Sequence, residues 1–114
     1  MDILVKFILK QPKKLLAKKI ERSVIINDTH IFYYFENVTT PYDMNYVYSN
    51  LHDNQIIKTC IQKIVKSCDS SKEILYWDII DIQISYDDLD KFRDIMKNVA
   101  KKHESMITST LNIN

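Results

Sequence analysis

The stretch QPKKLLAKKIERSVIINDTHIFYYFENV, residues 11–38, decides the fold because it admits two incompatible readings. In the first, Pro12 occupies the opening turn of a helix that runs through about Arg22, where the N–H that proline lacks would have no partner anyway. Residues 23–27 (SVIIN) and 30–38 (HIFYYFENV) then form a hairpin. Both are rich in β-branched and aromatic side chains, and Asn27 before Asp28-Thr29 tolerates the left-handed backbone of a tight turn. In the second reading, residues 14–27 form one long strand in which Leu16, Lys18, Ile20, Arg22, Val24 and Ile26 share a face. The first reading is favoured.

Outward from this stretch the patterns are clearer. Ile3, Val5, Phe7 and Leu9 alternate with Leu4, Lys6 and Ile8, which predicts a strand over residues 3–9. Thr40-Pro41-Tyr42-Asp43 has a capping threonine followed by a first-turn proline and predicts a helix toward Leu51. From Asn54 to Cys68, Ile57, Cys60, Ile61, Ile64, Val65 and Cys68 form one helical stripe. A turn at Asp69-Ser70-Ser71 precedes a strand from Glu73 to Ser85, whose Ile80, Ile82 and Ile84 alternate with Asp81, Gln83 and Ser85. Ser85-Tyr86-Asp87-Asp88 resembles a capping box, and Leu89, Phe92, Met96, Val99 and His103 stripe a final helix. The predicted fold is α+β, a two-layer sandwich in the order β-α-β-β-α-β-α, which is ferredoxin-like with an extra C-terminal helix. One domain spans residues 1–104, and 105–114 is a polar C-terminal tail.

Composition removes several function classes. The 114 residues include no glycine, so the phosphate-cradling P-loop, the dinucleotide fingerprint and the G-x-S-x-G nucleophile elbow are absent. Gly, Ala, Arg and Pro together supply six residues and Ile, Lys, Asn and Tyr supply 47. That bias is the mark of an AT-rich genome, as in low-GC bacteria, phages and large DNA viruses, and it makes abundant lysine a weak argument by itself. MDILVKFILK lacks the basic start and small-residue cleavage site of a signal peptide, and no run approaches the ~18 apolar residues of a membrane span. Cys60 and Cys68 lie ~12 Å apart along the predicted helix, too far for a disulfide. They read as reduced thiols in a cytoplasmic protein, the host cytoplasm if the source is viral.

Charge is blocked along the chain. Residues 1–22 carry seven positive and two negative groups, 23–57 carry four negative and none positive, and 73–94 carry seven negative and two positive. The basic block is Lys10, Lys13, Lys14, Lys18, Lys19 and Arg22, either a solvated helix face or an anion-binding patch for nucleic acid or an anionic membrane. Seven aromatics crowd residues 32–48. On a strand one of the pairs Phe32/Tyr34 and Tyr33/Phe35 must point away from the core. Tyr33, Tyr34, Tyr42, Tyr46 and Tyr48 are therefore interface candidates, weighed against plain core packing. Asp78, Asp81, Asp87, Asp88, Asp90 and Asp94 suit helix capping and a solvated face better than a metal or acid/base site. The histidines and cysteines share no metal-ligand spacing, and no cofactor is implied.

The sequence thus predicts a small non-catalytic protein–protein interaction module, such as a viral or phage accessory factor, partnered by another protein or by itself as a homodimer. The alternative is an anion-binding module acting through the N-terminal lysines.

Overall fold

The computed structural model describes residues 1–68 and 76–113, with side chains through His103. The described elements are β1 (Asp2–Lys10), β2 (Lys19–Asn27), α1 (Asp28–Tyr33), a π-helical turn (Tyr34–Val38), α2 (Pro41–Ser49), α3 (Asn54–Cys68), β3 (Asp78–Gln83) and α4 (Tyr86–Ile113). Three antiparallel strands in the order β2-β1-β3 form one layer and the helices the other. The α+β two-layer architecture therefore holds, but the order β-α-β-β-α-β-α and its ferredoxin-like topology do not. Residues 12–22 are a loop and the start of β2, and residues 30–38 are helical.

The central strand explains the first difference. β1 buries Ile3, Val5, Phe7 and Leu9, and its nine residues offer nine partners to β2, from Asp2 opposite Asn27 to Lys10 opposite Lys19. A helix over 12–22 would leave Phe7–Lys10 unpaired on that edge, so tertiary pairing overrides the proline signal. β2 follows the alternation of the second reading from Ile20 onward, with Ile20 opposite Leu9, Val24 opposite Val5 and Ile26 opposite Ile3.

The second difference has a local cause and a packing cause. Asn27 does not turn a hairpin; it caps α1. Its side chain accepts the His30 N–H at 3.1 Å while His30 Nδ1 accepts the Asn27 N–H at 3.1 Å, so histidine stands where a capping box usually has Glu or Gln. Helical spacing then places Ile31, Tyr34 and Phe35 in the core together. The adjacent Tyr34 and Phe35 rings meet edge to face at 5.1 Å, an arrangement a strand forbids because neighbours there point to opposite faces.

Elsewhere the structure follows the patterns. The Thr40 hydroxyl accepts the Asp43 N–H at 3.2 Å to cap α2, and α3 buries Ile57, Cys60, Ile61, Ile64 and Val65. The predicted turn at 69–71 and the first residues of the predicted strand, 73–75, lie outside the described residues. In β3 a register shift opposite Ile8 and Leu9 turns Ile79 and Ile82 inward and leaves Ile80 exposed, so the predicted face alternation breaks at Ile80. Ser85 caps α4 by accepting the Asp88 N–H at 3.1 Å. The Asp88 carboxylate, instead of closing the box, accepts the Leu4 N–H at 3.0 Å and pairs with Lys91 at 3.1 Å, which fastens α4 to β1. Leu89, Phe92, Ile95, Met96 and Val99 cover the sheet, and the helix continues to Ile113 through the segment expected as a polar tail. No glycine or proline follows Pro41, so nothing in α4 breaks it.

Candidate functional site

The site worth building is the tip that joins β1 to β2. The ladder runs to Lys10 opposite Lys19, and beyond it the Gln11 N–H donates to the Lys18 carbonyl at 3.2 Å. The Gln11 side chain also accepts the Lys18 N–H, at 3.4 Å. Residues 12–17 must then reverse direction without glycine, and Lys13 takes the left-handed conformation at φ 59°. A lysine held there spends local strain on a projecting loop, since the αL basin costs any residue with a Cβ about 1 kcal/mol.

The reversal gathers charge. Lys10, Lys13, Lys14, Lys18 and Lys19 are all exposed within ten residues of hairpin, and none forms an ion pair among the described residues. Lys10 and Lys19 face each other across the ladder, an arrangement that like charges disfavour. Asp78, opposite Lys10 on the β3 side, is the nearest acidic position in register. Arg22 does not join this group; it lies opposite Phe7, farther up β2.

At the centre of the lysines stand two residues the sequence reading did not single out. Leu15 and Leu16 are 102% and 93% exposed, the most exposed large apolar residues described. A helix over residues 12–22 would turn both toward a core; the loop turns them out. The same end of the sheet carries Tyr76, 68% exposed, and the half-buried Trp77, because both directly precede Asp78.

The tyrosine candidates do not assemble into one surface. Tyr34 is buried, and burial raises the pKa of its hydroxyl, with Cys60 and Asp43 adding to the effect. Tyr33 is exposed on α1. Tyr42 and Tyr46 lie one turn apart on α2 at 78% and 52% exposure, whereas Tyr48, about 200° round the helix from Tyr46, points elsewhere. Tyr46 borders a cleft of about 260 Å³ between the π-helical turn, α2 and α3, which Tyr34, Phe35, Val47, Asp43, Cys60 and Lys63 also line. Asp43 is held below the usual carboxylate range by the hydroxyls of Thr40 and Thr39, at 2.9 and 3.1 Å. Burial pushes the Cys60 thiol up to about 12, so it is protonated and a poor nucleophile at neutral pH.

Two members of the acidic cluster have structural partners. Asp88 ties α4 to β1, and Asp90 pairs with Arg93 at 2.9 Å. Arg93 also donates to the Leu51 carbonyl at 2.7 Å and to the Asn54 side chain, anchoring α4 to the start of α3. No group of three or more His, Cys, Asp or Glu among the described residues can hold a metal ion, and no helix among them is long and apolar enough to cross a membrane. No family model, curated protein or solved structure matches the chain.

Proposed function

We propose that the protein is a binding module that grips an anionic surface with the β1–β2 hairpin tip. The observation that supports this best is the convergence of Lys10, Lys13, Lys14, Lys18 and Lys19 at one hairpin tip, without ion-pair partners among the described residues. Each ammonium is a compact charge on a flexible stem and can settle on phosphate or carboxylate without fixed geometry. Unmatched charge at a tip attracts an opposite surface from a Debye length away, about 8 Å at physiological salt.

The direct test is retention on immobilised heparin across a salt gradient. The protein is expected to bind at low salt and elute as salt rises, and Lys13→Ala/Lys14→Ala/Lys18→Ala is expected to elute much earlier. Flow-through at low salt would refute the reading.

A second reading, contact with another copy of the chain through α2, is favoured by the Tyr42/Tyr46 pair beside an open cleft. Exposed tyrosines offer large contact area at small entropic cost. Light scattering would then give a dimer that Tyr42→Ser/Tyr46→Ser converts to a monomer, and a monomer at all concentrations would remove this reading.

A further inference from the structure

We infer that the surface gripped by the tip is an anionic phospholipid bilayer, entered by Leu15 and Leu16. This inference rests on the polyanion reading above and deepens it.

Lysines alone do not distinguish one polyanion from another; the leucines do. Two adjacent leucines held almost wholly in water at the apex of a loop take no part in the core formed by the described residues. A nucleic-acid contact made by lysine to phosphate would leave them in water still. An apolar wedge does enter the step between stacked bases in some minor-groove binders, a case that the duplex probe below separates from a bilayer. A bilayer takes both, because its acyl boundary accepts apolar side chains while headgroup phosphates take the surrounding ammonium groups.

Two further features agree. Tyr76, next to the half-buried Trp77 at the tip end of the sheet, is exposed, and an aromatic residue with an apolar body and a polar edge favours the headgroup level of a membrane. Charge also favours contact by the tip alone. Residues 23–57 carry four negative groups and no positive one, so a polyanion that wrapped along that segment would meet repulsion. A flat bilayer touched by the apex avoids that segment.

The experiment uses the full chain with three probes: phosphatidylcholine vesicles, vesicles with added phosphatidylserine, and a duplex DNA oligonucleotide. Sedimentation gives the partition coefficient, and surface pressure of a phosphatidylserine-containing monolayer reports insertion. The wild type is expected to partition to phosphatidylserine vesicles, to raise monolayer pressure, and to leave neutral vesicles largely unbound. Leu15→Ser/Leu16→Ser is expected to lose at least tenfold in partitioning and all of the pressure rise. Lys13→Glu/Lys14→Glu is expected to abolish binding altogether. If the leucine variant partitions like the wild type, insertion is wrong while the polyanion reading stands. If the duplex is bound more tightly than the vesicles and the leucine variant releases it, the partner is DNA and the bilayer inference falls. Loss of heparin retention together with both probes overturns the polyanion reading itself.

Discussion

Leu15 and Leu16 separate binding from stability at the scale of single residues. Neither belongs to the core cluster, so Leu15→Ser/Leu16→Ser is expected to leave the unfolding free energy unchanged within about 0.5 kcal/mol, the range of surface substitutions away from special features. Moving both side chains out of water is worth about 3–5 kcal/mol, and each lysine near an anionic leaflet adds about 1 kcal/mol. Leucines alone would give association near the millimolar range, whereas leucines and lysines together reach micromolar. Asp88 shows the opposite case, a residue whose charge serves the fold. Burial by itself raises its pKa, but the Leu4 N–H, Lys91 and Ser85 outweigh burial and hold the carboxyl below its usual range. A lowered folded pKa gives stability that is present above the unfolded value of about 3.9 and is lost as pH falls through the folded value. Asp88→Asn is therefore expected to cost about 1 kcal/mol at pH 7 after allowance for its partial exposure. The cost should shrink as pH drops below about 4. Urea titrations at neutral and acid pH measure both, and an equal cost at each pH would show that the carboxylate charge does not hold the contact.

Among elements, α1 depends most on one side chain. The reciprocal hydrogen bonds of Asn27 and His30 start a helix in a segment whose composition favours a strand. Asn27→Ala is expected to cost about 1 kcal/mol and to reduce helical circular dichroism near the melting transition. A loss under about 0.3 kcal/mol would mean that burial of Ile31, Tyr34 and Phe35 sets the helix without its cap. What the sequence made legible follows the same logic. β1 and α3 were readable from periodicity, α2 from its cap, and the start of α4 from both. Residues 12–22 were not, because the proline signal pointed one way and pairing with β1 the other, nor were residues 28–38, whose strand-like composition hid a cap and a helical packing face. A hydrophobic count cannot reveal that Tyr34 and Phe35 share a core, since a strand and a helix assign them to different faces. The lysine block was visible as a cluster of charge, but its apex was not: in a helix Leu15 and Leu16 are a buried stripe, in a hairpin loop they are its tip.

For the whole molecule, the core and the tip occupy separate regions of one sheet. The buried set joins the inner face of β1 to α1, α2, α3 and α4, and none of residues 11–18 belongs to it. Stability should therefore survive removal of the loop. Replacing Pro12–Ala17 by Asn-Gly keeps the Gln11–Lys18 pair and substitutes a two-residue turn whose twist suits a hairpin. Closing two residues instead of six costs about 1 kcal/mol less chain entropy, so thermal unfolding of the graft should remain one cooperative transition, shifted upward by a few degrees. Vesicle partitioning should disappear with Lys13, Lys14, Leu15 and Leu16, although Lys10, Lys18 and Lys19 remain. A graft that unfolds earlier than the wild type would show the loop to be part of the fold. A graft that still binds vesicles would move the anionic contact to other lysines, of which Lys58, Lys63 and Lys66 on α3 are the nearest group in sequence. The paired measurement thus decides whether the loop is an appendage for binding or a structural element.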